Sequence, residues 1–186
     1  MQEVEKERNM KGSLKEFDIG EYNRYDSRGK SAVMAYLNRK TPFKTIENPD
    51  PYGIDLLSLN LNDEVVHCWE VEVRHGNWRG DTPFPFNEIN CIERKDHQWR
   101  RDKTFTDRIP YKLADNYKVW YAQLNKECTR MVLIDGDTVL QYPLKQWRNR
   151  KAAGEYVRQV PVEFTLQKRL NVIEAHEVKG VYDNER

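Results

Sequence analysis

The chain has 186 residues, 33% of them charged and 38% hydrophobic, with a formal net charge of +1. An aromatic share of 11%, including five Trp and ten Tyr, excludes disorder throughout, and the length suits one domain with a hydrophobic core. The near-neutral total excludes reading a partner from overall charge, so that signal has to come from local distribution.

No apolar run reaches the ~20 residues a membrane helix needs, and the first residues, "MQEVEKERNMKGSLKE", hold no signal-peptide core. Cys68, Cys91 and Cys128 are odd in number, far apart and without a C-x-x-C pair. They read as reduced thiols of a soluble cytoplasmic protein rather than a disulfide or zinc framework.

In chain order, residues 1–20 are charged and poor in apolar side chains, so a mobile segment or an exposed helix is expected ahead of one domain over 21–178. A helix is expected over 31–39, where Val33, Met34 and Leu37 form a stripe, ending before Pro42. "ENPDPYG" is a loop. Strands are expected at 54–61, 65–74, 89–94, 117–124, 130–135 and 138–142, with "IDGDT" as the turn between the last two. A helix is expected near 145–153. "YVRQVPVEF" reads as extended, and Leu166, Leu170 and Ile173 as one helical face. Residues 179–186 are a loose tail. The order gives an α+β (α/β) fold, a mixed central sheet flanked by helices.

The segment "GIDLLSLNLNDEVVHCWEVEV" carries three acidic residues in unusual places. With Asn62-Asp63 as a two-residue hairpin turn, paired residue numbers sum to 125, and Asp55 faces Glu70. Glu72 lies on the same face as their diagonal neighbour. A four-residue loop gives the same sum; a three-residue loop would turn the side chains to the other face. Three crowded carboxylates repel and raise one another's pKa values. A hard divalent cation would relieve this, since Mg²⁺ takes carboxylate oxygens, waters and phosphate oxygens. "EVEV" is also the pattern of a half-exposed strand with Glu toward water.

Asp50 or Asp55 followed by Glu70-x-Glu72 on the next strand resembles the PD-(D/E)XK nuclease superfamily. "PDPYGID" resembles the loop that brings in the first aspartate, and "WEVEVRHGNW" the second motif in its E-x-E form. "FPFNEINCIERKDHQW" and "YKVWYAQLNKECTRMVLID" resemble the later strands of small nucleases of this type, often phage-encoded. The likeness covers roughly residues 25–165.

The resemblance implies a restriction-endonuclease-like core, a DNA endonuclease and Mg²⁺ or Mn²⁺ held by Asp55, Glu70 and Glu72. It also allows a homodimer, in the host cytoplasm if phage-encoded. Asp50 matches the motif name literally, whereas Asp55 fits the strand geometry. The usual motif lysine is missing, with Glu72 in its place. Glu72 is then a second acidic ligand, or the ammonium comes from elsewhere, or the copy is inactive. Lys95 or Arg94 would supply the cation if residues 89–95 form the third strand, Lys95 with a catalytic role.

Residues 94–112 and 145–158 each carry a local charge of +4 with interleaved aromatics, a pattern suited to phosphates and unpaired bases. The DNA-contacting candidates are Arg94, Trp99, Arg100, Arg101, Lys103, Arg148, Arg150 and Lys151, with Trp78 and His75 as further contacts. Trp69 and Trp120 read as core, and His67 as a packed strand residue. The alternative function is a catalytically inactive nucleic-acid-binding or assembly protein on the same core. A third is an interaction protein whose 65–74 strand simply faces solvent.

Overall fold

The computed structural model describes residues 19–74, 76, 78–147 and 155–170, with side chains from Asp26 onward. Helix α1 (Ile19–Lys40) leads into strands β1 (Lys44–Glu47), β2 (Leu56–Leu59) and β3 (Val65–Val73). Strand β4 (Glu88–Ile92), a 3₁₀ turn (Glu93–Lys95) and the short helices α2 (Asp96–Trp99) and α3 (Lys103–Thr106) follow. Then come β5 (Leu113–Leu124), β6 (Arg130–Asp135), α4 (Gly136–Leu140), β7 (Leu144–Gln146), β8 (Tyr156–Pro161) and β9 (Leu166–Arg169).

Six strands form a mixed central sheet in the order β1-β2-β3-β5-β6-β9, in which only β3 and β5 run parallel among these pairs. The other three form a small antiparallel sheet, β4-β8-β7. The architecture is mixed α+β, as the element order predicts.

Strand β3 explains the layering. Trp69, Val71 and Val73 alternate onto one face, where α1 supplies Ala32, Val33 and Leu37. Cys68 points the other way, into a core shared with Trp78, Ile89, Trp99, Phe105 and Val160. A strand buried on both faces belongs in the middle of a sheet. Helix α1 comes unusually close: a Cβ on Gly29 would lie 2.6 Å from Val73 Cγ2, so only glycine fits there.

The β2–β3 register follows the expected sum for Leu56–Trp69, Leu57–Cys68 and Ser58–His67, then shifts at Leu59. The expected Leu61–Glu64 pair does not form. The side chain of Asn60 instead accepts from the amides of Asn62 and Glu64, and Leu61 is fully exposed.

Several sequence expectations are corrected. Helix α1 begins twelve residues before the expected start, at Ile19; its Gly, Asn and Ser residues are weak helix formers, but packing on β3 overrides propensity. The expected strand at 138–142 is α4, because Asp135 caps a helix: its carboxylate accepts from the Thr138 amide (2.9 Å) and hydroxyl (2.7 Å). The expected helix at 145–153 begins as β7, and residues 148–154 lie outside the described set. Residues 166–169 form a strand rather than a helix because the outer edge of β6 is free to pair. The N-terminal segment to residue 18 and the 179–186 tail lie outside the described residues.

Candidate active site

Glu70 sits near the middle of β3, on the face that meets the small sheet, and is 8% exposed. It is therefore not on a solvated strand face. Both carboxylate oxygens are engaged: Oε1 forms an ion pair with Lys95 Nζ, and Oε2 accepts from Gln98 Nε2 at 2.9 Å. The sequence suggests Lys95 on a third strand of the main sheet. It lies instead on the 3₁₀ turn after β4, which belongs to the other sheet. The turn still delivers its ammonium to the carboxylate. Arg94 beside it is exposed.

Asp55 lies immediately before β2, where continuation of the register sets it opposite Glu70. Its Oδ2 accepts from the Val71 amide at 2.8 Å, a donor that a longer β2 would have paired. Its Oδ1 meets Lys30 Nζ at 3.0 Å, and Lys30 also reaches Asp26 Oδ2 at 2.7 Å. Asp50 is engaged differently, accepting from the Tyr52 amide at 2.8 Å and lying 3.5 Å from Arg108. Of the two candidates, Asp55 is the one at the carboxylate strand.

Burial pushes the Asp55 carboxyl up, against the opposing pull of Lys30 and the Val71 amide. Lys30 is held above the usual lysine range: its burial acts downward, but Asp55 and Asp26 outweigh it. Burial lowers Lys95, while the charges of Asp55 and Asp26 oppose that shift. The lysine bound to Glu70 thus also feels Asp55, which links the two carboxylates electrostatically.

Glu72 points to the same layer as Glu70 and accepts from the Tyr121 hydroxyl. Gln123 Nε2 donates to that hydroxyl at 3.0 Å. Tyr121 and Gln123 stand beside Glu70 and Glu72 in the parallel β3–β5 register. Burial and the Glu72 charge push Tyr121 well above its usual range, so it remains a donor.

The carboxylates are consequently not left to repel one another, as the sequence reading expects, because each has a partner. Among the described residues no group of three His, Cys, Asp or Glu side chains is gathered around a common metal position. Two observations nevertheless suit a hard cation: the donors are carboxylate oxygens, and the buried Gln98 Oε1 and Gln123 Oε1, beside Glu70 and Glu72, lack partners.

The proposed DNA contacts fare unevenly. Trp99 and Trp78 are each 1% exposed, so both belong to the core and neither offers a ring for base stacking. Trp99 packs edge-on to Tyr121, and Trp78 to Phe84. Arg100 lies 3.2 Å from Asp96, and Arg101 grips both oxygens of Asp137 at 2.9 Å. Lys103 is exposed at the start of α3. Arg148, Arg150, Lys151 and His75 lie outside the described residues. Trp69 is buried and stacks on Trp120 at 5.7 Å, and His67 packs against Phe43 and both indoles. All three cysteines are buried and free.

Sequence reasoning missed Lys30, Gln98, Tyr121 and Gln123. Asp26 and Lys30 at i, i+4 carried a local signal, as did Tyr121 and Gln123 at alternate positions on a strand. Comparison with family models, curated proteins and solved structures returns no match. Among the described residues no helix is long and apolar enough to cross a membrane.

Proposed function

We propose that the chain is a metal-dependent DNA endonuclease of the PD-(D/E)XK type, with Asp55, Glu70 and Glu72 as acidic residues and Lys95 as the ammonium absent from the strand motif. The observation that carries this reading is the contact of Lys95 with Glu70, a pairing of distant chain segments inside a buried acidic site. The order of α1, the β1-β2-β3 meander and a β5 parallel to β3 supports a restriction-endonuclease-like core.

Mg²⁺ or Mn²⁺ held by Asp55, Glu70 and Glu72 would polarise the phosphodiester and lower the pKa of a bound water. Lys95, drawn down by burial, would hold a water or phosphate oxygen beside Glu70. Tyr121 would orient Glu72, and Lys30 would orient Asp55. Lys103 would meet the DNA backbone.

A second reading keeps nucleic-acid binding without catalysis. It is favoured by the occupied carboxylates, since Lys30, Lys95 and Tyr121 already satisfy them. One experiment separates the two: purified protein with single-stranded, duplex and branched DNA in Mg²⁺, Mn²⁺ or EDTA. Metal-dependent cleavage that disappears in Glu70→Gln supports the nuclease. Binding without cleavage of any substrate supports the second reading.

A further inference from the structure

Lys95 and Gln98 both reach Glu70, but residue 96, between them, faces the other way. Asp96 is buried against β8, where Arg158 Nε lies 3.0 Å from Oδ1 and Nη2 lies 2.6 Å from Oδ2. The third guanidinium nitrogen, Nη1, donates to the Tyr142 carbonyl. Both side chains of the pair are 9% exposed. Arg158 itself is fixed opposite Cys91 in the β4–β8 register, so the small sheet holds the guanidinium end of the grip.

We propose that Arg158 is a positioning residue for the Lys95–Glu70 pair: its fork clamps Asp96 and thereby holds the turn that presents Lys95 and Gln98 to the central sheet. A bidentate guanidinium–carboxylate pair fixes direction as well as distance. Helix α2 is four residues long, too short to hold its own orientation. Arg100 also touches Asp96, but from an exposed position on the same turn, and so cannot tie that turn to the second sheet. The effect of Arg158 on cleavage rests on the nuclease reading; its effect on the contact does not.

Zero-length carbodiimide coupling tests the contact directly in the full chain without metal, because it joins a lysine to a carboxylate only where they touch. Mass spectrometry should find a Glu70–Lys95 amide in the wild type, absent in Glu70→Gln. The surface pair Lys112–Glu64 is the internal standard. The neutral pair Asp96→Asn with Arg158→Gln keeps hydrogen-bonding groups in place and should lower the Glu70–Lys95 yield several-fold at an unchanged Lys112–Glu64 yield. Arg158→Lys retains charge without the fork and should give an intermediate yield. If DNA is cleaved, kcat should fall roughly 100-fold with KM little changed. A folded Arg158→Lys or double variant with wild-type Glu70–Lys95 yield overturns the proposal. Loss of the cross-link in variants of a protein that cleaves nothing would retain the clamp and remove the nuclease.

Discussion

Lys95 and Glu70 join the two sheets of the protein through an ion pair whose partners are 25 residues apart in the chain. One comes from the turn after β4 and the other from β3. The pair is largely shielded from water, so its parts depend on each other. Lys95→Met should destabilise the metal-free protein by about 1–3 kcal/mol, because Glu70 keeps a buried charge with its cation removed. The double variant Lys95→Met/Glu70→Gln should lose less than the sum of the single losses. Urea melts of the four proteins give the coupling, and strict additivity would show that the pair contributes nothing.

Metal should act through the same carboxylates. Mn²⁺ should raise the melting temperature of the wild type by selective binding to the native state, and less so for Asp55→Asn and Glu70→Gln. An equal rise in all three would place the metal elsewhere.

The pH dependence at Asp55 has a defined sign. Burial raises its folded pKa, so its contribution to stability is complete below the unfolded value of about 3.9 and is lost as pH rises through the folded value. Asp55→Asn lacks this titration. The wild type's stability minus that of the variant should therefore decrease as pH is raised from about 4. Lys30 does not reverse the trend there, because its raised pKa keeps it charged across that range. Melts against pH in chelator measure the difference; a growing wild-type advantage would contradict it.

His67 runs in the opposite direction. Burial lowers its pKa, and Lys118 adds to the shift. Its Nδ1 accepts from the Trp120 indole at 3.3 Å, which requires that nitrogen to be unprotonated. Its stabilising contribution is complete above the unfolded value of about 6.5 and is lost as pH falls through the folded value. His67→Gln should flatten the acid side of the stability curve, as read by denaturant melts at successive pH values.

Trp99 should behave as a core residue. Trp99→Ala should cost about 3–5 kcal/mol, whereas Lys103→Ala should leave stability within about 0.5 kcal/mol and reduce the salt slope of DNA binding by about 1. Base-stacking fluorescence quenching that follows Trp99 would reverse this assignment.

Much of the central sheet was legible from period-two alternation. The β2–β3 register over Leu56–Ser58 and the place of β6 follow local rules. The Asn62-Asp63 turn does not form as expected, because the Asp63 amide donates to the Asn60 carbonyl and closes a loop over residues 61–63, with the register shifting at Leu59. The misread elements have different causes: a local cap from Asp135 makes the 138–142 segment begin as a helix, whereas distant partners fix others. Leu166 and Leu170 fit a helical stripe, but an open strand edge at β6 takes the segment. Trp99 sits among basic residues in sequence and among Tyr121 and Gly136 in space. The three acidic positions could be picked out from spacing, though they do not gather around a common point among the described residues. The partners of Asp55 and Glu72, Lys30 and Tyr121, were not read, since they come from α1 and β5.

The Asp96–Arg158 pair spans 62 residues of sequence, and this gives assembly of the site an order in time. During synthesis at about 5–20 residues per second, several seconds separate the appearance of Asp96 from that of Arg158. Throughout that interval Asp55, Glu70 and Lys95 have all been made, while β8 has not. The nascent chain therefore carries every acidic residue of the candidate site before it has the strand that sets their lysine in place. A ribosome-bound chain ending before β8 should lack the Glu70–Lys95 contact, and completion of the small sheet should be the late event that creates it.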